Sequence, residues 1–117
     1  MFGAAAVQKI ELLPDADPAP NTYGLTRDDL IRLLRSSPEA VDGWLSGTRR
    51  RPPYFDAALR AAKAGLHPIA KPLVRKYARE LGVSESQVTY WLETGQVPVP
   101  ARMAVAWIIH RKVTGRD

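Results

Sequence analysis

The chain has 117 residues, 45% of them hydrophobic, which suffices for one ordinary domain or two very small ones around a packed core. The absence of cysteine excludes disulfides and thiol chemistry, and no stretch approaches the roughly 18 apolar residues of a membrane span. The net charge of +5 is uneven: residues 1–70 carry nine basic and eight acidic side chains, residues 71–117 eight and four, so the C-terminal half suits a phosphate-rich partner. The opening MFGAAAVQKIELLP lacks the charged start and sustained apolar run of a signal peptide, and the expectation is a soluble, cytoplasmic protein.

Residues 1–22 read as an arm. Val7, Ile10, Leu12 and Leu13 fit a short strand or a helical turn, and PDADPAPN, with three prolines and two aspartates in eight residues, reads as an extended linker. Helical signals begin at Thr26, an N-cap with Asp28 and Asp29 in the first turn, followed by Leu30, Leu33 and Leu34 at helical spacing. Ser37 and Pro38 start a second helix with the apolar stripe Val41, Trp44 and Leu45, ended by Gly47. After Arg49-Arg50-Arg51 and Pro52-Pro53, a third helix is expected from about Tyr54 to Ala64, stopped by Gly65. Pro72 fits the first turn of a fourth helix carrying Leu73, Val74, Tyr77, Ala78 and Leu81, broken by Gly82. Ser84 caps a fifth, where Gln87 completes a capping box, Val88, Trp91 and Leu92 face inward, and Gly95 is the stop. Pro98 and Pro100 precede a last helix from about Ala101 to Val113.

A shift of 47 residues aligns Leu34 with Leu81, Ser37 with Ser84, Val41 with Val88, Trp44 with Trp91, Leu45 with Leu92, Pro53 with Pro100 and Ala57 with Ala104, without a gap. The expected fold is therefore all-α: an extended arm over 1–22, a first helical unit over 23–66, and a second over 67–117 that ends in a C-terminal helix.

The segment VRKYARELGVSESQVTYW has the residues that two short helices need to cross through a tight turn. Ala78 is small where the helices approach, Gly82 tolerates a left-handed turn, Val83 fills the space beneath it, and Ser84 satisfies the amides opening the next helix. The pattern Ala78-x-x-x-Gly82-Val83-Ser84-x-x-x-Val88-x-x-Trp91 resembles the phage repressor and Cro (XRE-like) type of helix-turn-helix, closely over about 20 residues. Arg51-Pro52-Pro53-Tyr54 and Pro98-Val99-Pro100 are similar, more distantly, to segments of anti-CRISPR-associated phage regulators, where the following helix supports a dimer. The resemblance implies a recognition helix over 84–93, with Ser86, Gln87, Thr89 and Tyr90 turned toward bases or backbone.

A helix fits the major groove, where glutamine bonds adenine bidentately and the threonine methyl meets a thymine methyl. Phosphate contacts are expected from Arg49, Arg50 and Arg51, from Arg75, Lys76 and Arg79 on the preceding helix, and from Ser84. The first unit departs from the pattern, with Ile31 at the small position and Arg35 at the turn glycine. Glu39, Asp42 and Gly43 are poorly suited to DNA, so that unit reads as a degenerate copy used for packing or protein contact. Trp44 and Trp91 are expected in the core. The seven apolar residues from Met103 to Ile109 must be buried, against the first unit or, the favoured expectation, in a homodimer.

These signs point to a sequence-specific double-stranded-DNA-binding transcription regulator without cofactor or metal. The alternative is an adaptor that contacts RNA polymerase or a partner regulator through the same folds. No nucleophile with a base and no phosphate-cradling loop argues for an enzyme.

Overall fold

The structure, a computed structural model, describes residues 20–115, and every regular element in them is helical. All but the last three residues of the expected arm lie outside that range. The first half holds α1 (Arg27–Leu33), α2 (Pro38–Ser46) and α3 (Phe55–Lys63). The second holds a 3₁₀ segment (Lys71–Tyr77), α4 (Ala78–Leu81), α5 (Glu85–Thr94) and α6 (Val99–Thr114). None of these helices is long and apolar enough to cross a membrane.

Local chemistry sets most boundaries. Thr26 Oγ1 accepts from the Asp29 amide at 3.1 Å while the Thr26 amide donates to the Asp29 carboxylate at 2.9 Å, a reciprocal cap that satisfies two orphan donors. Ser37 and Ser84 repeat one another: both are extended, and each side chain accepts from the amide three residues on, at 3.1 Å. At Ser84 the cap is this one bond, and Gln87 keeps its side chain on the exposed face rather than folding back as the capping box requires.

The backbone also agrees at the two turns 47 residues apart. Gly82 takes φ +79°, and Arg35, its counterpart, takes φ +49° although it is not glycine. The amide after each turn bonds the carbonyl five residues back: Val83 to Ala78 at 3.2 Å and Ser36 to Ile31 at 3.3 Å. A bulky residue such as Ile31 at a helix crossing tends to push the helices apart, and a non-glycine residue in a left-handed turn costs conformational energy. Here Leu30, Leu34 and Val41 are nonetheless wholly buried, and Arg35 absorbs the strain of the left-handed turn.

The fourth helix differs from its expected form. It is regular α only from Ala78 to Leu81, preceded by seven residues of 3₁₀ structure. Pro72 lacks an amide hydrogen and stands at the start of this stretch, whose tighter coil buries Val74 and leaves Leu73 exposed.

One core joins the two halves. The equivalent helices α3 and α6 pair more extensively than any other two elements. α3 buries Phe55, Ala58, Leu59, Ala61 and Ala62; α6 buries Ala101, Met103, Ala104, Val105 and Ala106. The apolar start of α6 is thus covered within a single chain, while Trp107, Ile108 and Ile109 further along the helix are half-buried. Tyr54, at the head of α3, meets Trp91 of α5 edge-on at 6.3 Å, so an aromatic contact crosses between halves. Burial pushes the Tyr54 hydroxyl up to about 12.

Candidate nucleic-acid interface

The surface of interest is built on the bend at Gly82. Its left-handed backbone ends α4, and the C-cap amide bonds the Ala78 and Arg79 carbonyls at 3.1 Å each. A β-carbon on Gly82 would lie 3.1 Å from the Pro53 Cβ, so the loop before α3 packs directly on this turn. α5 then leaves with Val88 wholly buried and Trp91 nearly so. That anchoring turns Ser86, Gln87 and Tyr90 outward, with Tyr90 57% exposed despite its ring. Thr89 is half-buried at the edge of the same face.

Arg75 and Thr89, 14 residues apart, are brought together: the Arg75 guanidinium lies 3.4 Å from Thr89 Oγ1, long for a hydrogen bond but enough to hold the cation against α5. Lys76 and Arg79 are exposed, and the Lys76 ammonium lies 5.9 Å from the Tyr77 ring centre. Ser84 is occupied as a cap and lies 3.2 Å from Ser86 Oγ, so its hydroxyl acts first on the protein.

The Arg49–Arg51 run is divided by the fold. Arg50 is exposed. Arg49 packs its stem on α2, where its amide bonds the Gly43 carbonyl at 3.1 Å. Arg51 is half-buried and donates to the Trp44 carbonyl at 2.8 Å. This bond gives Arg51 a structural role, because α2 ends in orphan carbonyls that need a donor.

Two more cations act at a distance in sequence. Lys71 Nζ donates to the Gly95 carbonyl at 2.8 Å, closing the C-terminal end of α5. Arg102 Nε donates to the Ile69 carbonyl at 2.7 Å and ties the connector between halves to α6. Sequence reasoning passed over both, since their partners stand 24 and 33 residues away.

The matching face of α2 is different in kind. Asp42 accepts two bonds from Arg27 at 2.6 and 3.1 Å, and this guanidinium holds its carboxyl below the usual carboxylate range. Ala40 is buried. Gly43 is covered by Arg49, whose Cβ would stand 2.7 Å from any β-carbon placed there. Among the described residues, no cluster of His, Asp and Glu has the makings of a metal site.

No family model, curated protein or solved structure matches this chain.

Proposed function

We propose that the protein is a sequence-specific double-stranded-DNA-binding transcription regulator, built from two tandem helix-turn-helix units of which the second reads DNA. One observation carries this reading. A left-handed glycine bend and a serine cap present α5 with Ser86, Gln87 and Tyr90 exposed, Thr89 at the edge, and Arg75, Lys76 and Arg79 on the element before it. The face offers donors, acceptors and one aromatic ring for base edges, while the cations supply sequence-independent attraction to phosphate. Placed with α5 in the major groove, the preceding segment crosses the backbone, where its arginines are useful.

Fluorescence anisotropy with DNA recovered from a random pool tests it. Affinity should fall steeply with salt, and Arg75→Ala should weaken binding to all sequences and flatten the salt slope by about one. Gln87→Ala should instead lose about 1–3 kcal/mol on the preferred site only. If both variants bind as the parent does, α5 is not the reading element. The acidic, closed face of α2 favours a second role in protein contact, and a chain that binds no DNA at physiological salt would make that adaptor role the main one.

A further inference from the structure

Two equivalent helices face outward in this fold, yet the structure treats them oppositely. On α5, the positions Ser86, Gln87 and Tyr90 are open. Their counterparts on α2 are Glu39, Ala40 and Gly43. Ala40 and Gly43 are buried, the latter under Arg49, and Glu39 is an exposed acid. Asp42, the counterpart of Thr89, accepts from the Nε and Nη2 of Arg27.

We infer that each chain carries a single reading head, and that its DNA target is one asymmetric half-site rather than an inverted or direct repeat. This rests on the DNA-binding reading above. Three features keep α2 from entering a groove. Its acids would meet phosphate, which repels them. Its small central residue gives no group to reach a base edge. The loop that covers Gly43 is fastened by the Arg49 amide to the Gly43 carbonyl and by the Arg51 guanidinium to the Trp44 carbonyl, so exposing the helix face would break both bonds. The first unit instead fills the place a second subunit takes in a symmetric regulator. Its α3 packs on α6, whose Ala101, Met103, Ala104, Val105 and Ala106 are buried within the one chain rather than left for another copy.

The target that follows has a conserved core within about one helical turn, 10 base pairs, with flanking phosphate contacts and no dyad. Selection of the full chain on a random duplex pool, followed by native mass spectrometry of the complex, tests this. The expected result is a motif without internal symmetry, bound by one chain. In a second selection, Glu39→Ala with Asp42→Ala should return the same motif, with affinity within about twofold, whereas Gln87→Ala should lose about tenfold on it. A palindromic motif bound by two chains overturns the single-head inference while leaving the DNA reading intact, as does a motif that changes when Glu39 and Asp42 are replaced. No enrichment from the pool overturns the DNA reading itself and the inference with it.

Discussion

At the scale of the residue, Gly82 and Arg35 form a natural pair. Both hold left-handed backbone at the same point of the repeat, at φ +79° and +49°. A side chain costs about 1–2 kcal/mol in that region, and at Gly82 it also meets Pro53 at 3.1 Å. Gly82→Ala should therefore lower the thermal midpoint by about 5 °C or more. Arg35→Gly relieves similar strain but gives the unfolded chain about as much added entropy, so its midpoint should stay within about 3 °C of the parent. Calorimetry of both variants checks this, and equal shifts would mean that neither turn is under the stated strain. Gly43 is constrained by space instead, its α-carbon being where Arg49 crosses α2.

At the scale of the element, α1 and α2 are linked by charge as well as by Leu30, Leu34 and Val41. Arg27 lowers the Asp42 carboxyl, and the Thr26 amide lowers that of Asp29. Because both folded-state values are depressed, the stabilisation is present above the unfolded carboxylate value near 4 and is lost as pH falls through the folded values. The thermal midpoint should drop as pH falls from about 5 to about 2, and Asp42→Asn should remove part of that slope. An unchanged slope in the variant would show that the Arg27–Asp42 pair is too well solvated to matter. On α5 the arrangement is apolar: Val88 and Trp91 anchor it, Lys71 closes its end, and the outer face carries the Arg75–Thr89 and Ser84–Ser86 contacts.

At the scale of the whole molecule, α3 and α6 join the two halves in one hydrophobic core. Neither half keeps its apolar surface covered without the other, since Met103, Ala104 and Val105 are buried in a core that includes Ala58, Leu59 and Ala61. A fragment of residues 67–117 should thus show no cooperative unfolding transition, while the full chain shows one; heat capacity and near-ultraviolet dichroism report the difference. A fragment that melts sharply would mean that the second unit is a domain of its own. Tyr54 against Trp91 adds to the same coupling and places the loop carrying Pro53 over the turn that aims α5.

The sequence by itself determined the all-helical class, the caps at Thr26, Ser37 and Ser84, the breaks at Gly47, Gly82 and Gly95, and the 47-residue offset. These depend on interactions within a few residues, and such interactions are written in order along the chain. It also showed which side of α5 is apolar, and so which side faces out. Only the tertiary structure decided that the start of α6 packs on α3, that Arg51 and Lys71 serve helix ends, and that Arg27 and Arg49 close the face of α2. Each of those depends on which distant groups meet when the core forms, and spacing along the chain carries no record of that choice.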